Sequence, residues 1–110
     1  MNFSMIQGDS LDIFFVFRKN GVPMSLDGFS ISFVCKLFFQ DVSNVFLKEI
    51  GSGIVVTDVA GGLFTVSIYP EDTQSLVIPH SNVNTVVAVN VKKGLYISHT
   101  TTGVLTVNAG

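Results

Sequence analysis

The sequence predicts an all-β protein: an antiparallel β-sandwich of about eight strands with one short helical turn near residues 71–75. Three observations carry this. Ten Phe and many Val and Ile favour extended backbone. Turn signals such as Asn-Gly, Asp-Gly and Gly-Gly recur every few positions, as a sandwich or barrel of short strands requires. Between the turns, apolar and polar residues alternate, so each short stretch has one apolar face. A chain of 110 residues makes one domain, residues 1–110.

The elements follow in order. Residues 3–7 form the first strand, and QGDS turns it. Residues 11–18 form the second, with Leu11, Ile13, Phe15 and Phe17 on one face and Asp12, Phe14, Val16 and Arg18 on the other. The first face is wholly apolar. The second still carries Phe14 and Val16, and something must cover them: this chain's own loops or first strand, or a partner. KNG closes the strand with a tight-turn signal at Asn20-Gly21. Pro23 limits VPMS to an edge piece. After the LDG turn at 26–28, residues 29–38 form a third strand. Phe29, Ile31, Phe33, Cys35 and Leu37 point inward, while Val34 and Phe38 interrupt an outer row of Ser30, Ser32 and Lys36.

QDVSN at 40–44 is a loop, residues 45–48 resume a short strand, and GSG at 51–53 is a flexible link. Residues 54–57 and 63–68 are strands joined by the DVAGG turn, with Phe64, Val66 and Ile68 facing in and Thr65 and Ser67 facing out. YPEDTQSL breaks the alternation. Pro70 suits a first helical position and the acids suit a first turn, so one helical or 3₁₀ turn is expected at 71–75. After Pro79 come three closing strands, 84–91, 95–99 and 104–107, joined by turns at KKG and TTTG.

Charge bounds the partners. Only 13% of residues are Asp, Glu, Lys or Arg, against ~25% in an average domain, and the net charge is −2. Nucleic-acid binding asks for a basic stripe, but the six basic residues are scattered. The adjacent pairs Arg18-Lys19 and Lys92-Lys93 abut glycine turns, where solvated hairpin ends account for them. Mean hydropathy is positive but spread over short segments, with no run of ~18 apolar residues for membrane insertion. The start MNFSMIQGDS has neither the basic nor the apolar region of a signal peptide. A single cysteine fits synthesis in a reducing cytoplasm.

The search for chemistry finds little. His80 follows Pro79 in a loop and His99 ends a strand; with no third His and no Cys pair at ligand spacing, both read as structural or solvated. Asp9, Asp12, Asp27, Asp41 and Asp58 fall mostly in turns, where Asp accepts backbone N–H bonds. The Glu71-Asp72 pair is explained by a helix start rather than by catalysis or a cation. Cys35 alternates with Phe33 and Leu37, so it reads as a buried small hydrophobe. GSG and AGG lack the lysine and helix of a phosphate cradle. Tyr69 and Tyr96 are the aromatics available to stack on a sugar. We expect no catalytic residue, no cofactor and no metal.

The order of the motifs resembles a family of tailed-phage β-sandwich modules. In that family an I-x-Q-G-D-[ST] segment leads into an apolar strand, and an N-G-x-P-x-x-L-x-G turn precedes a strand ending near a basic residue. Here these are Ile6-Gln7-Gly8-Asp9-Ser10, then Asn20-Gly21-Val22-Pro23 with Leu26 and Gly28, then Lys36. The second half, GIVVTDVAGGLFTVSIYPEDTQSL, is similar to a G-I…G-x-[LF]-x-[LV]-x-[LI]…D-T-x-x-L run and supplies Gly53, Ile54, Gly62, Phe64, Val66, Ile68, Asp72, Thr73 and Leu76. GVLTV near the end resembles the closing strand. The family includes N-terminal domains of upper baseplate proteins of phages of Gram-positive hosts, and related small virion proteins. One departure is HSNVNTVVAVNV, which lacks the aromatic and acid of the family's strand after the Leu.

The resemblance implies an Ig-like sandwich and a non-enzymatic structural role in a bacteriophage virion: tail, baseplate, connector or capsid surface. Partners would be other copies of the chain and other virion proteins, with assembly in the host cytoplasm. A start at Met1 and an end just past the last strand suit a small stand-alone protein. The residues expected at an interface are Phe14, Val16, Val34 and Phe38. The alternative is an Ig-like adhesion module that binds a host glycan or surface receptor.

Overall fold

The computed structural model describes residues 1–38, 40–41, 43–78, 81–94 and 97–110, with the side chains of 97 and 98 set aside. The strands are β1 (Asn2–Ile6), β2 (Leu11–Val16), β3 (Arg18–Lys19), β4 (Val22–Pro23), β5 (Ser30–Lys36), β6 (Phe46–Ile50), β7 (Gly53–Asp58), β8 (Leu63–Ile68), β9 (Asn82–Lys93) and β10 (Ile97–Asn108). The helix α1 spans Pro70–Gln74. The fold is all-β, as the alternation and turn chemistry predict.

Eight strands form one ladder in the order β1-β10-β9-β5-β6-β7-β8-β2. The ladder folds over between β6 and β7. Only two residue pairs join these strands, Glu49 with Gly53 and Ile50 with Ile54, in parallel. Gly51 and Gly53 there have φ of +85° and +94°. What the sequence suggests is a flexible link is therefore a tight corner. The stem of Lys48 fills the space that a Cβ on Gly53 would occupy.

Beyond the corner, β7-β8-β2 lies over β1-β10-β9-β5-β6. Phe15 on β2 and Phe33 on β5 are far apart in the ladder, yet their ring centroids are 6.3 Å apart. Phe3 on β1 approaches Phe15 at 6.1 Å. Lettered in chain order from A, with the hairpin β3–β4 set aside, the larger layer has the G-F-C order of an immunoglobulin sheet with β6 as C′. The smaller layer is D-E-B. The molecule is thus an Ig-like sandwich, with no tryptophan and a single cysteine in place of the antibody disulfide.

The interior follows from the alternation. Ile13, Phe17, Ile31, Phe33, Cys35, Phe64, Val66 and Ile68 are buried, and Phe15 stacks on Phe64 with centroids 5.1 Å apart. Leu37 departs from the reading: β5 ends at Lys36, and the bend that follows leaves Leu37 exposed. Asn20 and Gly21 have φ of +53° and +78°, the positive pair that a tight hairpin turn needs. They close β3–β4, a two-stranded sheet of its own that holds Pro23.

Two other expectations change. First, β1 pairs with β10 in parallel, so the sheet is not wholly antiparallel. Second, the last two predicted strands are one, β10, and TTTG lies inside it rather than in a turn. Three β-branched threonines suit extended backbone. Gly103 is there because Met1 needs the space: a Cβ would collide with the Met1 carbonyl oxygen, which accepts a bond from the Val104 amide at 3.0 Å.

Candidate functional site

The outer face of the smaller layer holds an apolar row. Phe14 on β2 lies opposite Thr65 on β8, and Thr65 lies opposite Val55 on β7. Beside this row, Val16 lies opposite Leu63. Phe14 is 80% exposed, Val55 61% and Val16 40%. Their orientation is forced by the pleat: Ile13, Phe15, Ile54, Phe64 and Val66 turn into the core, so their neighbours turn out. Among the described residues, nothing in this chain covers Phe14.

The four predicted interface residues do not form one surface. Phe14 and Val16 face out from the smaller layer. Val34 is half-buried on the outer face of the larger layer, between Leu47 and Ala88. Phe38 is exposed in the bend after β5. Because β2 and β5 belong to opposed layers, their outward sides point apart. Val55 and Leu63 were missed as partners of Phe14 and Val16. Their signal was the unbroken apolar run IVV and a Leu facing the strand's polar side, but register alone brings them beside β2.

The polar residues are built into the frame. Asp41 accepts the Phe38 amide at 3.2 Å and Asp58 the Gly61 amide at 3.1 Å, as turn aspartates do. Asp72 accepts the Tyr69 amide at 2.7 Å at the start of α1. Asp72 also pairs with Lys48 at 2.7 Å, an ion pair the sequence does not announce. Lys48 is buried beneath Tyr69, its ammonium 4.4 Å from the ring centroid. One face of Tyr69 is therefore occupied by a cation rather than open to a sugar. Tyr96 and His80 lie outside the described residues.

Cys35 is fully buried and donates to the Thr85 hydroxyl at 3.2 Å, which in turn donates to the Leu105 carbonyl at 2.9 Å. Burial pushes its thiol up to about 11, with the Asp72 charge adding to the rise and the Thr85 bond opposing it. A thiol held neutral in this way is a poor nucleophile. His99 lies within β10 rather than at a strand end, with its ring centroid 5.4 Å from that of Phe17. It borders a cleft of about 310 Å3 lined also by Met1, Phe15, Arg18, Val89 and Thr101. Among the described residues, no carboxylate lines that cleft. Among the described residues, no three His, Cys, Asp or Glu could hold a metal, and no helix is long and apolar enough to cross a membrane.

No family model matches the chain, and no curated protein matches it. Among solved structures, murine CRIg is similar at a TM-score of 0.44 and 9% identity, over 99% of this chain and 92% of that chain.

Proposed function

We propose that the chain is a structural subunit of a bacteriophage virion, a small sandwich that docks on neighbouring virion proteins and catalyses nothing. The observation that carries this is the apolar row of Phe14, Val55, Val16 and Leu63 on the outside of a chain with few charges. A free domain relies on surface charge to stay apart from its neighbours. Here large apolar side chains stand where charge would serve, as at a docking surface.

The motif resemblance supports the same reading, and its two halves meet in space. The Gln7 side-chain amide donates to the carbonyls of Thr73 at 2.9 Å and Leu76 at 2.8 Å. The Gly8 amide donates to the Thr73 hydroxyl at 3.1 Å. The Q-G-D segment and the D-T-x-x-L segment are one interlock, which is a physical reason for them to occur together.

The test is direct. Antibody labelling and imaging of purified particles from the producing host should place the chain at repeated positions around a symmetry axis. Phe14→Asp should remain folded in solution yet be missing from particles. Particles that lack the wild-type chain altogether would sink the reading.

A further inference from the structure

The apolar row ends at the free edge of β2, and among the described residues nothing pairs with the main chain of that edge. The Phe17 amide donates to the Gly62 carbonyl at 2.8 Å, which fixes the phase of the β2–β8 ladder. Counting back, Phe15, Ile13 and Leu11 exchange hydrogen bonds with β8, so the N–H and C=O groups of Asp12, Phe14 and Val16 point away from it. The ladder ends at β2. In the A-B-E-D order of an immunoglobulin layer a first strand flanks the second. Here β1 joins β10 instead, and among the described residues no strand takes that place. The edge has one of the usual protections, the charge of Asp12, and LDIFFV holds no Pro, Lys or bulge.

We infer that a second copy of the chain fills this place, its β2 antiparallel to the first about a two-fold axis at Phe14. This rests on the reading of the chain as an assembling subunit. The edge is self-complementary in that register. Asp12 faces Val16 of the other copy, Phe14 faces Phe14, and Val16 faces Asp12. All three edge-facing residues then pair, giving about six main-chain hydrogen bonds. A shift by two residues in either direction leaves one of them unpaired. Asp12 never meets its own copy, so no like charges oppose each other. The result is a continuous six-stranded sheet, β7-β8-β2 followed by β2-β8-β7. Its outer face runs Val55–Thr65–Phe14 and then Phe14–Thr65–Val55, so the apolar rows of two molecules become one. Such an interface is isologous and closes on itself.

Charge exchange at the axis tests this. Sedimentation of the whole wild-type chain should show a dimer. Phe14→Asp alone and Phe14→Lys alone should each self-associate at least roughly tenfold more weakly, because like charges then oppose each other. Mixing the two variants should restore a dimer. The second arm uses cysteines. A mixture of Asp12→Cys and Val16→Cys chains should cross-link under mild oxidation, since facing residues lie within disulfide reach. Either variant alone should cross-link far less. A monomeric wild type, dimers in both Phe14 variants, or equal cross-linking in the single cysteine variants would overturn the inference. A wild-type monomer that is nonetheless found in particles removes this dimer and keeps the docking role. A charge-switchable dimer that is absent from particles does the reverse.

Discussion

The inner faces of the two layers are alike. Phe33, Val87 and Leu105 on one meet Ile54, Val66 and Ile68 on the other, all fully buried. The outer faces differ. On the larger layer Ser32, Asn90 and Thr100 lie beside Val34, Val86 and Ala88 around a shallow depression of about 210 Å3, and the Thr106 hydroxyl donates to Asn84 at 2.7 Å. On the smaller layer Phe14, Val55, Val16 and Leu63 stand out with Thr65 among them. The contrast separates two demands on one strand pattern. Folding needs only the inner face, and both layers supply it. The apolar outer row of the smaller layer is not part of that interior, and the docking role proposed above would give it a use.

The largest effect should come where the layers are tied together. Lys48 on β6 belongs to the larger layer, and Asp72 on α1 follows the last strand of the smaller one. Lys48→Ala leaves a carboxylate with little access to water and no cation beside it, only the Tyr69 amide, and should cost about 3–5 kcal/mol in denaturant unfolding. The double change Lys48→Met with Asp72→Leu should recover most of that loss, because it removes both charges. An additive double variant would show that the pair is not coupled.

Next come the inner faces themselves. Phe64→Ala on the smaller layer and Ile31→Ala on the larger should each cost about 2–5 kcal/mol through the cavity they open. Comparable losses would confirm that the layers contribute alike to the interior. A negligible loss for Phe64→Ala would mean that the smaller layer rests loosely on the larger.

These positions also mark how far the sequence could be read. Period-two alternation identified the inward side of β2, β5 and β8, because serine, threonine and aspartate label the outside of a strand locally. Gly21 and Gly28 announced their turns for the same local reason. What was not legible depends on partners distant in sequence. Gly103 looks like a turn until Met1 is placed against it. Lys48 gives no sign of an ion pair until Asp72 arrives from another layer. Val34 and Phe14 read alike, as interface residues, until β2 and β5 are seen to lie in opposed layers. Sheet order decides all three, and sheet order is set by pairings across the whole chain.

A smaller effect distinguishes the interior of the larger layer at high pH. Burial raises the Cys35 thiol from 9.0 to about 11. A group raised in the folded state keeps its full contribution below the unfolded value and loses it as pH rises through the folded value. Thermal midpoints should therefore fall between pH 9 and about 11 by more in the wild type than in Cys35→Ala. Parallel curves would mean that the thiolate is not excluded from the fold.

The smallest changes in stability belong to the outer faces, where substitutions away from the core stay within about 0.5 kcal/mol. Here the two layers should part in a different readout. Leu47→Ser and Val34→Ser on the larger layer should leave self-association unchanged, whereas Val55→Ser on the smaller layer should weaken it. If all three weaken it alike, the apolar outer row is not special, and the difference between the layers is one of composition rather than of use. If Val55→Ser alone acts, a side chain on β7 is being felt at the far edge of its layer. That would show the three strands meeting their neighbour as one surface, and not through the β2 main chain alone.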